Sequence, residues 1–194
     1  MNFDKNFWDQ RYQTNDTAWD LGQVSPPLKH YINGLKDRSV SVLIPGAGNS
    51  YEFEYCIQKG FTNVYLLDIS SLPIENIKQR MPKMDDSRLI CNDFFQHQGQ
   101  YDLIIEQTFF CALDPAYRKQ YVQHMYALLK PAGKLAGVLF NRQFSLDAPP
   151  FGGNKTEYEK LFSDLFSIKT MDVCYNSVLP RSGTELFIEL IARK

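Results

Sequence analysis

Apolar residues along this chain gather in short runs, each closed by a glycine turn or an acid, and the runs alternate with stretches of helical spacing. The first run, Val40-Ser41-Val42-Leu43-Ile44, leads into the tight turn Pro45-Gly46-Ala47-Gly48. A helical stretch from about Tyr51 to Lys59 follows, with Asn49 and Glu52 at capping-box spacing. The second run, Val64-Tyr65-Leu66-Leu67, ends at Asp68. Strand, glycine turn, helix, strand and acid form the opening of a nucleotide-binding βαβ unit.

The alternation continues. Ser71 with Pro73 starts a helix that runs towards Met81, and 82–86 is a loop. Arg88 to Cys91 is a short strand ending at Asn92-Asp93-Phe94. After the turn Gln98-Gly99-Gln100, the run Tyr101 to Ile105 is apolar enough for a strand buried on both faces, and it ends at Glu106. Asp114-Pro115 opens the longest helix, to about Lys130, with Tyr117, Tyr121, Met125, Leu128 and Leu129 on its apolar face and Pro131-Ala132-Gly133 at its end. A strand from Lys134 to Phe140 precedes a long loop, 141–153, which carries Phe144, Pro149, Pro150 and Phe151. Asn154 and Glu157 cap a helix to Phe162. The last β segments, 166–176 and 184–192, lie too close for an intervening helix and form an antiparallel pair at one sheet edge.

The glycine turn restricts the ligand. Tyr51 stands where a dinucleotide fingerprint has its third glycine, which counts against a nicotinamide-dependent dehydrogenase, and no Gly-Lys-Ser/Thr of a P-loop follows. A ligand with adenosine and no phosphates fits better, S-adenosylmethionine being the common one; a turn using glycine only for geometry is the plainer alternative. Asp68 is placed to accept hydrogen bonds from ribose hydroxyls; Asp93 with Phe94 either holds an adenine or is an ordinary turn aspartate. With Glu106, three acids end strands along the edge where open α/β sheets bind ligands. Phe7, Trp8 and Tyr12 share a helical face, and Trp8 and Trp19 are both tryptophans of the chain. They either pack a helix on the sheet or form a lid over a bound cation. Arg118, a cation in the first turn of a helix where the dipole disfavours it, points to an anionic partner or to a plain surface arginine.

Composition narrows the class. A chain of 194 residues makes a single domain of ordinary size, here an aromatic segment, 1–38, before a core, 39–194. The net charge of −1 gives no footprint for nucleic acid. Cys56, Cys91, Cys111 and Cys174 are scattered, and with His30, His97 and His124 they show no metal-ligand spacing. No basic, apolar leader and no membrane-length apolar run is present, so the expectation is a cytoplasmic protein, without membrane contact, acting as a monomer.

Taken together, the chain resembles the thiopurine S-methyltransferase family, and more closely its thiol and halide methyltransferase branch. The resemblance rests on Trp8 with Tyr12, Trp19-Asp20-x-Gly22, Val42 to Gly48, Tyr101 to Ile104 leading to Phe109-Phe110-Cys111-Ala112-Leu113, then Pro115, Arg118, Met125, Leu128 to Pro131, and Pro149-Pro150-Phe151. It implies a Rossmann-like α/β fold of class I methyltransferases: a seven-stranded, mostly parallel sheet with a C-terminal antiparallel hairpin and helices on both faces. It implies S-adenosylmethionine as cofactor, covered by Trp8, Tyr12 and Trp19, passing over Gly46 and Gly48, and bound by Asp68 and Ile69 at the ribose and by Asp93 and Phe94 at the adenine. Glu106 takes the place of a residue close to the cofactor, and Arg118 that of an arginine near the acceptor. Phe140-Asn141 stands where the halide branch has Tyr-Pro, which counts against halide methylation.

The expected chemistry is methyl transfer to a small soft nucleophile, a thiolate first, by in-line displacement in a pocket lined by Phe109, Phe140 and Phe151, with Arg118 orienting an anionic acceptor. A thiolate needs no strong general base, in keeping with the lack of a histidine base in the pattern. Halide, selenium or tellurium species, a small O- or N-nucleophile, and cofactor binding without turnover are the alternatives.

Overall fold

The structure is a computed structural model that describes residues 3–145 and 147–194. Met1, Asn2 and Leu146, which belong to the expected N-terminal segment and to the 141–153 loop, lie outside the described residues. Seven strands form one sheet: β1 (Ser41–Pro45), β2 (Asn63–Asp68), β3 (Leu89–Cys91), β4 (Tyr101–Gln107), β5 (Leu129–Phe140), β6 (Phe166–Val173) and β7 (Glu185–Ala192). Their order is β3-β2-β1-β4-β5-β7-β6. The first five run parallel, β7 pairs antiparallel with β5, and β6 antiparallel with β7. The Rossmann-like sheet and its closing hairpin are those expected from the sequence.

Successive side chains of a strand point to opposite faces, and both faces here are buried. Val42 and Ile44 of β1, Val64 and Leu66 of β2, and Leu103 and Ile105 of β4 pack on α2 (Pro26–Gly34), α3 (Tyr51–Gln58) and α4 (Ser71–Arg80). Leu43, Leu67, Ile104 and Leu135 face the other way, onto α5 (Arg118–Leu128) and α6 (Lys155–Phe162). The first helix, α1 (Lys5–Gln13), has no buried residue and belongs to neither layer. No helix among the described residues is long and apolar enough to cross a membrane.

Some local expectations change. Asn49 and Glu52 do not form a capping box: Ser50, at φ +42°, precedes α3, and the buried Glu52 carboxylate instead accepts from the Ser25 N–H at 2.8 Å. A long-range partner has displaced the local one, and it ties the start of α2 to α3. Asn154 does cap α6, accepting from the Glu157 N–H at 3.0 Å, but the Glu157 carboxylate turns to Arg118 rather than back to the cap. The helix expected to open at Asp114 begins with a 3₁₀ turn, Pro115–Tyr117, capped by the Asp114 side chain. It ends at Leu128, and β5 is paired from Leu129 across an irregular step near Ala132, whose φ is +57°.

The order in which successive strands are added reverses between β1 and β4, although the two run parallel. That reversal opens a crevice at the carboxyl ends of the parallel strands.

Candidate active site

A cavity of about 820 Å³ occupies this crevice, within the range of small-molecule sites. Its floor is the glycine turn after β1. Gly46 and Gly48 have φ of +63° and +52°, the left-handed region that glycine enters without a Cβ penalty. A Cβ on Gly46 would overlap the Phe109 ring, and one on Gly48 would lie 3.5 Å from the Trp19 indole nitrogen. These glycines let aromatic rings close on the backbone.

Asp68 ends β2 with its carboxylate buried, accepting from the Ser70 N–H at 2.8 Å and the Gly48 N–H at 3.4 Å. Burial outweighs these bonds and raises its pKa to about 6. Ile69 follows on the cavity wall. Asp93 starts a 3₁₀ turn (Phe94–Gln96), accepting from the Phe95 N–H at 2.8 Å, and presents Phe94 beside it. His97 and His124 are not on the wall; the His124 ring packs 4.7 Å from that of Phe94, behind it.

The N-terminal segment covers this half. Trp8, Tyr12 and Trp19 all reach the wall, with Trp8 and Tyr12 edge-on to Trp19 at centroid distances of 5.6 and 5.7 Å. Three bonds secure the cover: the Ser70 hydroxyl to Asp9 at 2.6 Å, the Asn49 amide to Asp20, and the Arg181 guanidinium to the Trp19 carbonyl at 2.9 Å.

Phe109, whose ring lies over Gly46 and 5.0 Å from that of Phe94, joins this half to one walled by Phe140, Phe144, Pro149 and Pro150. Thr108, at φ +60°, turns the chain out of β4 and aims Phe109 inward. Phe140 and Phe144 meet edge-on at 5.0 Å. Two arginines border them: Arg181 lies 5.3 Å from the Phe140 ring centroid, with Glu185 at 3.3 Å, and Arg142 lies 4.6 Å from that of Phe144. The Cys111 thiol also lines the cavity; it donates to the Thr108 carbonyl at 3.0 Å, and burial pushes its pKa up, so it is kept protonated.

Three residues expected at the site are not on the cavity wall. Glu106 is fully buried beneath it; one carboxylate oxygen accepts from the Phe110 N–H at 2.7 Å, and burial pushes its pKa up to about 8. Phe151 is buried behind the proline pair, edge-on to Phe3 at 5.5 Å. Arg118 does not reach the cavity: it is ion-paired with Glu157 and donates to the Gly152 carbonyl at 2.6 Å. The helix-terminal cation that suggested an anionic partner has that partner in α6 of the chain itself.

Sequence reasoning missed Arg181 and Arg142. The signal for Arg181 was the antiparallel hairpin, since a chain leaving β6 for β7 must turn at the carboxyl edge of β5, where Phe140 pairs with Glu185.

The family model described as thiopurine S-methyltransferase matches residues 3–189. The chain belongs to the thiopurine S-methyltransferase family. It is 29% identical over 185 residues to a probable thiol methyltransferase 2 of Arabidopsis thaliana, covering 92% of this chain and 81% of that one. A thiopurine S-methyltransferase of Acinetobacter baylyi is 25% identical over 195 residues, covering 85% and 86%. Among solved structures, the 1,6-didemethyltoxoflavin N1-methyltransferase of Burkholderia thailandensis, solved with S-adenosylhomocysteine, superposes with a TM-score of 0.80 at 16% identity, covering 98% of this chain and 87% of that one. That likeness shows the shared fold.

Membership in this family makes the protein an S-adenosylmethionine-dependent methyltransferase. The residues present fit that cofactor: a left-handed glycine turn at the floor beneath aromatic rings, a buried carboxylate at the end of β2, and an aromatic cover able to face a sulfonium. No group of three His, Cys, Asp or Glu side chains among the described residues is placed to hold a metal.

Proposed function

We propose that this enzyme methylates a small thiolate, held between Phe109, Phe140, Phe144 and the Pro149-Pro150 pair. Trp8, Tyr12, Trp19, Gly46, Gly48, Asp68, Ile69, Asp93 and Phe94 are our assignment for the cofactor half. The cofactor supplies an electrophilic methyl group on a sulfonium. The protein's part is to hold the acceptor in line with that methyl and to keep water away.

One observation carries the choice of acceptor: the ring-walled half is bordered by Arg142 and by Arg181, which shares its charge with Glu185, and among the described residues neither histidine nor lysine lines the cavity. Positive charge beside a thiol lowers its pKa and attracts the thiolate, so the proton is lost before transfer and no base is needed. An anionic nucleophile and a cationic donor give neutral products, so the transition state is less charged than the reactants, and a dry aromatic wall favours that change. We assign Arg181 to acceptor attraction, in place of Arg118. Phe151 and Glu106 back the wall from behind.

The test is a panel of acceptors with purified protein: an aromatic thiol, an aliphatic thiol, thiocyanate, iodide and a selenol, with the methylated product measured by mass spectrometry. Methyl thioether formation several-fold faster than methyl iodide formation is expected. Iodide as the preferred acceptor, or no turnover on any thiol, would overturn the reading.

A further inference from the structure

Proline has no N–H, so Pro149 and Pro150 contribute no backbone donors to fix the acceptor wall they form. The residues that follow anchor this wall by their backbone bonds. The Phe151 N–H donates to the Cys111 carbonyl at 2.7 Å, joining the wall to the turn after β4. The Gly153 N–H donates to the Arg142 carbonyl at 3.0 Å, closing the loop on its own start. Between them, the Gly152 carbonyl accepts from Arg118 at 2.6 Å. A Cβ on Gly152 would overlap the Arg142 carbonyl, and one on Gly153 would overlap the Tyr158 side chain. Phe151, Gly152 and Gly153 are buried, and a charged side chain grips the middle of this stretch.

Arg118 suits that task. It is 8% exposed, at the start of α5, and its guanidinium lies 4.9 Å from the Phe110 ring centroid and 5.8 Å from that of Tyr158. One terminal nitrogen holds Gly152 and the other pairs with Glu157 at the start of α6. The pair therefore spans α5, the loop and α6, and charge-assisted bonds of this kind are stronger and more directional than neutral ones. Tyr158, on α6, donates its hydroxyl to the Phe140 carbonyl at 2.9 Å, so the same helix also supports the facing aromatic wall.

We infer that Arg118 is a positioning residue: through Gly152 and Glu157 it sets the place of the Pro149-Pro150 wall, and so the width of the acceptor pocket, without touching the acceptor. This rests on the acceptor half proposed above.

Two readouts test it in Arg118→Met, Arg118→Lys and Glu157→Gln. The first is hydrogen exchange at the amides of Phe151, Gly152 and Gly153, which needs no turnover. Faster exchange in Arg118→Met and Glu157→Gln, with partial recovery in Arg118→Lys, is expected; exchange unchanged from wild type would overturn the inference. The second is steady-state kinetics with one anionic and one neutral thiol. Loss of a charge-assisted bond should raise KM for both thiols by a similar factor, about tenfold, with kcat and the KM for S-adenosylmethionine within about twofold. A rise confined to the anionic thiol would make Arg118 an acceptor ligand and overturn the inference. Glu157 is half-exposed, so Glu157→Gln remains informative if Arg118→Met fails to fold. A wild-type enzyme inactive on all thiols would remove the proposed function, while the exchange measurement still decides the clamp.

Discussion

At the scale of single residues, two side chains carry the most specific expectations. Asp68 must be ionised to accept two hydrogen bonds from a ribose, and burial holds its pKa near 6. Affinity for S-adenosylhomocysteine should be flat above pH 7 and fall by up to about tenfold per pH unit below pH 6, as the carboxylate takes up a proton. Titration calorimetry across pH 5–8 checks this, and Asp68→Asn should abolish the slope along with most of the affinity. Trp19 is the second. A ring that faces a sulfonium gains from its charge, whereas the product has none. Trp19→Ala should therefore weaken S-adenosylmethionine about tenfold more than S-adenosylhomocysteine, a cation–π contribution of about 1–2 kcal/mol. Equal losses for both would leave Trp19 as a packing residue only.

At the scale of elements, the two turns that leave β1 and β4 make the site. The first depends on Gly46. Adding a Cβ there meets both a positive φ and the Phe109 ring, so Gly46→Ala should lower the melting temperature and weaken the cofactor together. Gly48→Ala, with nothing closer than 3.5 Å, should cost less stability. The second turn hangs on Glu106, whose carboxyl oxygen holds the Phe110 N–H. Its pKa is near 8 in the folded protein and near 4.5 in an unfolded chain. Between those values the folded state binds more protons than the unfolded one. Wild-type stability should therefore fall as pH rises from about 4.5 to 8, and Asp68 adds to the same trend over the lower part of that window. Glu106→Gln keeps an oxygen acceptor without the titration. Thermal unfolding of this variant should depend less on pH, and at pH 9 it should be the more stable of the two. A variant with the wild-type pH dependence would show that Glu106 titrates normally.

At the scale of the whole molecule, the sheet was legible because its strands are short apolar runs and its turns are written in glycine and acid. The closing hairpin was legible from spacing alone. Gly46, Gly48, Asp68, Asp93 and Phe109 reach one cavity because the topology brings every parallel carboxyl end to one edge. What was not legible depended on side-chain direction over long separations. Glu52 found Ser25 rather than its own cap, and Arg118 found Glu157 across 39 positions rather than the cavity. Arg181, 162 positions from Trp19, joins the cover to the hairpin, and no local pattern announces such a bond.

Every role proposed for these residues depends on the cofactor binding in the cavity over Gly46 and Asp68. The most direct test is calorimetric titration of the wild-type protein and Asp68→Ala with S-adenosylhomocysteine at pH 7.5, each shown to be folded by circular dichroism. Saturable one-to-one binding by the wild type, weakened at least about thirtyfold in Asp68→Ala, is the expected result, since a charged hydrogen-bond acceptor contributes about 2 kcal/mol or more. Equal binding by the folded variant, or no binding by the folded wild type, would contradict the assignment.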